Sequence, residues 1–269
     1  LTYTRLYNMN KPFLLFRGPV KTRSWYGAHS RDLLQALYEM DLFEIKIDSC
    51  MWGSTPMTAL EDNLFHKWIE SNIVNQLEKT PDIYVQITVP NEFQRVGKFN
   101  IGITAGIETT IAPKDWIDGC NRMDLIIVPS EHSKKSLVDT VYNEADNNTK
   151  QLIAQHRIQK PVEILFEGFD EKDFGTEHVA HVDLAQIKED FAFLFVGHWL
   201  RGDIGEDRKN VGMMIKTFAM AFKNEKVKPA LILKTSSAGF SIRDREDMVK
   251  KIRAVLGSDY KKVPVYLLH

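Results

Sequence analysis

Short apolar runs alternate with amphipathic segments along nearly the whole chain, and this alternation limits the fold more than any single motif does. Residues 13–16, 43–47, 82–89, 100–104, 124–128 and 162–166 read as strands. The run DLIIV at 124–128 is apolar without interruption after its first residue, as in a strand buried on both faces. Helical spacing follows several of the strands. Leu33, Leu34 and Leu37 mark one helix, with Met40 nearby. Phe65, Trp68, Ile69, Ile73 and Leu77 mark a second, over 63–77. Pro113 suits the first turn of a third helix, through Trp116, Ile117 and Asn121. Ser130 is a fitting cap for a fourth, with Glu131 at its positive end. Strand followed by helix, repeated, predicts a doubly wound parallel sheet. Residues 142–150 are polar and read as a surface loop.

The stretch 191–218, FAFLFVGHWLRGDIGEDRKNVGMMIKTF, opens a second such unit. Residues 191–196 form an apolar run that predicts a strand buried on both faces. It stops at Gly197, and a loop with Gly202 and Gly205 follows. Arg208, Lys209 and Asn210 then lead into Val211, Met214, Ile215 and Phe218 at helical spacing. Asn210 is an N-cap candidate. The first turn of a helix has unpaired N–H groups and partial positive charge, so it attracts anions. Two cations beside it add charge pairing to phosphate oxygens. The pattern is neither GxGxxG nor GxxxxGK[ST], which disfavours a nicotinamide fingerprint and a P-loop. A solvated loop with a surface Arg and Lys is the competing reading. A further strand at 230–233, a helix over 243–256 and a last apolar run at 263–268 follow. The charged stretch 171–190 is the expected boundary between two domains.

Composition excludes several classes. The 269 residues fit one large or two medium domains, and the net charge of −1 argues against a dedicated nucleic-acid binder. No apolar run approaches the ~20 residues that span a bilayer. Cys50 and Cys120 stand far apart, so neither a disulfide framework nor a zinc site is expected, and a reducing, cytoplasmic setting is the default. The chain starts without Met and stops at His269, right after a strand-like run with nothing to cover it. That suggests a fragment of a longer protein, or a truncated second lobe.

Four stretches together resemble the two-lobed GT-B-type glycosyltransferases, in particular the large family of retaining nucleotide-sugar enzymes, glycosyl transferases group 1. They are IGIT at 101–104 with Glu108 and Thr109, NRMDLIIVPS at 121–130, VEILFEGFD at 162–170 with Phe174, and the 191–218 stretch followed by LILKT at 231–235. The resemblance implies an α/β fold of two Rossmann-like lobes. One is an acceptor-side lobe over 11–175. The other, over 190–269, is a partial nucleotide-sugar-binding lobe. It implies a nucleotide-diphospho-sugar held between the lobes as substrate, with no separate cofactor and no metal, and lobe closure hinged on 171–190. Arg208 and Lys209 would hold the diphosphate, with Arg201, Gly197 and Asn210 beside them. Ser24, Tyr26, Gly27, Gly106 and Glu108 would face the acceptor, a glycan or other hydroxyl compound. No catalytic residue is singled out. Nucleic acid is not an expected partner; peripheral membrane contact stays open.

Two departures from the family pattern stand out. Many relatives carry a histidine near the strand end that here gives Thr104 to Ile107, and only Glu108 stands in that region. Relatives also carry two glutamates seven residues apart late in the second lobe, beyond the point where this chain ends. The alternatives are a non-catalytic sugar- or partner-binding member of the same plan and a sugar-nucleotide epimerase. Trp52, Trp68, Trp116 and Trp199 read as packing aromatics before sugar platforms. His198 reads equally as a ligand contact or a structural histidine.

Overall fold

The computed structural model describes residues 11–146, 148–169, 171, 183–200, 204–207, 209–237 and 241–269. Arg201, Gly202, Arg208, Asp170, Phe174 and most of the charged stretch after Glu171 lie outside the described residues. The chain divides into two compact units between residues 173 and 174.

The first unit is α/β. Its strands are β1 (Phe13–Gly18), β2 (Glu44–Ser49), β3 (Ile83–Ile87), β4 (Phe99–Ile103), β5 (Leu125–Val128) and β8 (Val162–Ile164). They form one parallel sheet in the order β2-β1-β3-β4-β5-β8. Helices α1 (Trp25–Met40), α2 (Leu64–Asn72), α3 (Lys114–Asn121) and α4 (Glu131–Val138) accompany it. Alternation along the strands separates two apolar clusters. Leu14 and Phe16 pack with Leu34 of α1 and Ile69 of α2, while Leu15 and Tyr84 pack in the cluster that holds Ile117 of α3 and Leu137 of α4. The chain leaves β1 toward β2 on one side and returns to β3 on the other. The strand order thus reverses at β1, and such switch points open a crevice at the carboxyl ends of the strands.

The polar segment 142–150 is not simply a loop. Tyr142–Ala145 (β6) pairs antiparallel with Leu152–His156 (β7) as a separate hairpin. The Asp146 carboxylate organises its turn by accepting the N–H groups of Asn148 and Thr149 at 2.9 and 2.7 Å. Side-chain bonds of this kind let a polar segment reverse direction without an apolar face to announce the strands. The helix expected over 63–77 is shorter, 64–72. Asn63 caps it, accepting the His66 N–H at 2.8 Å.

The second unit carries β9 (Ala192–Val196), α5 (Val211–Phe222), β10 (Ala230–Lys234), α6 (Ile242–Leu256) and β11 (Val265–Leu268). Its parallel sheet has the order β11-β10-β9. Phe195, Leu231, Leu233, Val265 and Leu267 share one cluster with Val211 and Ile215 of α5 and with Met248, Ile252 and Leu256 of α6. Alternate strand residues contact both helices, so both helices lie on the same face. The expectation that 191–196 is buried on both faces fails here. β9 is an edge strand, and Leu194 and Val196 are 65% and 66% exposed. An apolar run reports the preference of its side chains for cover; it does not say that a second layer supplies it.

Candidate functional site

In the second unit, the residues with chemistry gather at the carboxyl ends of the parallel strands. His198 follows β9, Ser236 and Ser237 follow β10, and His269 follows β11. His198 Nδ1 lies 3.2 Å from Ser236 Oγ. The Trp199 N–H donates to Ser236 O at 2.9 Å, and the Gly197 N–H to Lys234 O at 3.1 Å, so the ladder between β9 and β10 runs on past the strand ends. Asp244, in the first turn of α6, joins the two other strand ends. Its carboxylate accepts the hydroxyl and N–H of Ser237 and lies 2.8 Å from His269 Nε2. Burial pushes the Asp244 carboxyl up, but the bonds from Ser237 and His269 outweigh it and hold the group below the usual carboxylate range.

The start of α5 differs from the expectation. Asn210 stands at the N-cap position with φ 53° and makes no side-chain cap bond. Asp207, only 8% exposed, takes that role. Its Oδ1 accepts the N–H groups of Lys209 and Val211, both at 3.1 Å. Among the described residues, Asp207 Oδ2 is buried without a hydrogen-bond partner. An Asx-type side chain reaches two and four residues along a tight turn and competes with the residue next to the helix. The first turn therefore already holds one negative charge. Lys209 and Asn210 are exposed. Gly197 has ordinary backbone geometry, and an added Cβ would meet only the ring of Phe195, at 3.0 Å. Arg201 and Arg208 lie outside the described residues, so of the expected diphosphate ligands Lys209, Gly197 and Asn210 are the ones seen.

In the first unit, the first turn of α1 with its cap and the loop after β4 bring four of the five acceptor-side residues together. Ser24 caps α1, its Oγ accepting the Gly27 N–H at 2.9 Å. Gly27 has no room for a Cβ, which would lie 2.3 Å from Thr22 O. The Tyr26 hydroxyl sits 3.1 Å from Thr104 Oγ1 and accepts the Ala105 N–H at 3.2 Å. Gly106 adopts φ +80° with Ser133 against it. Ser24, Gly27 and Gly106 therefore act as scaffold, and Tyr26 ties the first turn of α1 to the loop after β4. Glu108 is exposed two residues beyond Gly106.

Sequence reasoning missed the pair His29 and Glu167, whose Nδ1 and Oε1 lie 3.9 Å apart. Trp25 stacks on His29 with centroids 5.5 Å apart, and Tyr26 stacks on Trp52 at 4.1 Å. Burial lowers the His29 pKa and, with help from the Asp32 charge, raises that of Glu167. Burial thus disfavours the charged form of both groups. Helical spacing places His29 on α1, but 138 residues separate it from Glu167; β8 lies four places from β1 in the sheet, and the segment after β8 brings Glu167 to His29. Ser237, Asp244 and His269 were missed for the same reason.

Among the described residues, no group of three or more His, Cys, Asp or Glu is placed to hold a metal ion, and no helix is long and apolar enough to cross a membrane. The six-stranded parallel sheet flanked by helices makes the first unit a Rossmann-like α/β fold. No protein-family model matches the chain, and no curated protein matches it in sequence.

Proposed function

We propose that the chain is part of a glycosyltransferase of the two-lobed GT-B type, which moves a sugar from a nucleotide-diphospho-sugar to a hydroxyl acceptor. One observation carries the reading. In the second unit, His198, Ser236, Ser237 and His269 from three successive strand ends converge at the edge where parallel sheets take nucleotide ligands. Lys209 stands at the start of the helix that follows the first of those strands.

The chemistry follows from charge. The leaving diphosphate gains negative charge as the glycosidic bond breaks, and fixed cations and N–H donors stabilise that charge most in the transition state. Lys209 supplies one such cation, and Arg208 and Arg201 are assigned beside it from the sequence pattern. Asp207 opposes them. Its carboxylate occupies the N–H of Val211, so the cations rather than the helix end must supply most of the attraction. Tyr26 and Glu108 are assigned to the acceptor side, with Ser24, Gly27 and Gly106 shaping its loops.

The test is ligand-linked stability. A nucleoside diphosphate at a hundredfold excess over its Kd stabilises the protein by about 2.7 kcal/mol, which is several degrees in Tm. Lys209→Ala removes most of that shift. If uridine, guanosine, adenosine and cytidine diphosphates all leave Tm unchanged, the reading fails. Incubation with labelled nucleotide sugars then separates transfer from isomerisation and from simple binding.

A further inference from the structure

We propose that the first unit holds a second anion site, an arginine-lined cavity that takes a phosphate group. It lies on the sheet face opposite α1 and α2, beside the carboxyl ends of β1 and β3. The cavity measures about 520 Å³ and is lined by Arg17, Arg95 and Arg122 with Asn91, Glu92 and Gln94. Three guanidinium groups face one lining carboxylate.

Each arginine is anchored through only part of its donor set. Arg17 on β1 pairs through Nη1 with Asp48 of β2. Arg95 donates through Nη1 to Asp124 at 2.8 Å. Arg122, at the end of α3, donates through Nε to Phe93 O at 2.6 Å and through Nη2 to Asn91 O at 2.8 Å. Asp48 and Asp124 are not among the lining residues; they hold two of the cations in place from behind. Among the described residues, Arg17 Nε is buried with no acceptor. A guanidinium that already spends one edge on a fixed partner loses little freedom when its other edge meets a ligand.

The chemistry selects the ligand class. Guanidinium forks match carboxylate and phosphate oxygens. Three forks around one space suit the three terminal oxygens of a phosphomonoester better than the two of a carboxylate. The volume leaves room for a small organic group on the phosphate. This site stands apart from the glycosyltransferase reading, whose diphosphate ligands all lie in the second unit.

Calorimetric titration of the full chain with inorganic phosphate, at ionic strength matched with chloride, tests it. Binding is expected, and Arg122→Gln weakens it about tenfold, the loss of one charge-assisted bond. Glu92→Gln strengthens it, because the one opposing lining charge is removed; surface charge in general gives no such local gain. Lys209→Ala leaves this affinity unchanged, which separates the cavity from the nucleotide site. Glycerol phosphate and vesicles of phosphatidylcholine with phosphatidic acid then distinguish a soluble phosphomonoester from a lipid headgroup. No phosphate-specific heat, or equal affinity in wild type, Arg122→Gln and Glu92→Gln, overturns the proposal. Circular dichroism spectra that coincide for the three proteins establish that a loss reflects the site and not the fold.

Discussion

The Asp207 carboxylate accepts the N–H of Val211 at 3.1 Å, so α5 begins under an acidic cap although Asn210 stands at the cap position. The same oxygen accepts the Lys209 N–H, and the Asn210 N–H donates to the Asp207 backbone carbonyl at 2.9 Å. One side chain thus ties the turn that carries the candidate diphosphate ligand. Asp207→Ala removes the cap and is expected to cost about 1 kcal/mol. Asp207→Asn keeps an oxygen at the cap and removes the negative charge. Under the glycosyltransferase reading, the Asn variant binds nucleoside diphosphate more tightly than wild type while the Ala variant loses stability. Urea unfolding and a diphosphate titration on both variants check the two effects separately. Equal loss of stability in both would show that the charge, and not the cap oxygen, holds the turn.

Gly119 of α3 packs directly on the turn that holds Pro90, and a Cβ there would lie 1.8 Å from Pro90 O. Two effects compete in Gly119→Ala. Helix propensity favours alanine by about 1 kcal/mol. Overpacking against a backbone carbonyl costs about 1–3 kcal/mol and more when neither side can yield. The overlap is with backbone on both sides, so the clash wins, and the urea midpoint of the first unit falls. A midpoint that rises instead would show that the turn at 90–92 moves away at little cost.

The strand-and-helix rhythm was legible because it depends on local pattern alone. Residues 13–16, 100–104 and 124–128 became β1, β4 and β5 within a residue or two, and Ser130 caps α4 as expected. What failed depended on partners distant in sequence. The 191–196 run is apolar enough for burial on both faces, but both helices of its unit pack on one face. The hairpin of β6 and β7 was hidden by its polar residues. Asn210 lost its capping role to Asp207, three residues earlier, because an aspartate reaches across a turn as easily as an asparagine reaches its own helix. Site residues divide the same way. Tyr26 and Gly106 stand just after strands, at the start of α1 and in the loop after β4, so their place at the carboxyl strand ends was readable. Asp244 with His269 required the sheet order, and His29 with Glu167 required the course of the segment after β8, neither of which local pattern reveals.

Asp244 ties the ends of β10 and β11 to α6, and this makes the second unit acid-sensitive. Its carboxyl is buried, which by itself raises the pKa, yet the bonds from Ser237 and His269 bring the net value below the usual one. A carboxyl with a depressed folded pKa adds stability above its unfolded pKa of about 3.9 and loses it as pH falls through the folded value. Stability should therefore drop as the solution is taken below about pH 4. Asp244→Asn removes this contribution at neutral pH and flattens the acid limb. Urea midpoints of both proteins between neutral pH and pH 3 read this directly. A parallel fall in wild type and Asp244→Asn would assign the acid sensitivity to other carboxylates, such as Asp124, which Asn100 and Arg95 hold below the usual range against the opposing effect of its desolvation.

The two cysteines provide separate clocks for opening the first unit. Cys120 has no solvent exposure, and burial pushes its thiol up to about 12. Cys50 sits half-buried after β2, with its thiol raised by burial to a lesser degree of enclosure. The thiolate is the reactive form, so both react slowly in the native state, but for different reasons. Cys50 needs deprotonation and a small local movement. Cys120 lies in the cluster with Ile117, Met123 and Ile126, so it reacts only when that cluster opens. A disulfide reagent at pH 8 should therefore label one thiol well before the other, and a Cys50→Ser variant should lose the faster phase alone. The slower phase then reports the opening free energy of the core. Gly119→Ala, one residue away, should speed it in proportion to its loss of stability. Labelling of Cys120 at the rate of a free thiol in the native protein would show that the cluster around it is not closed.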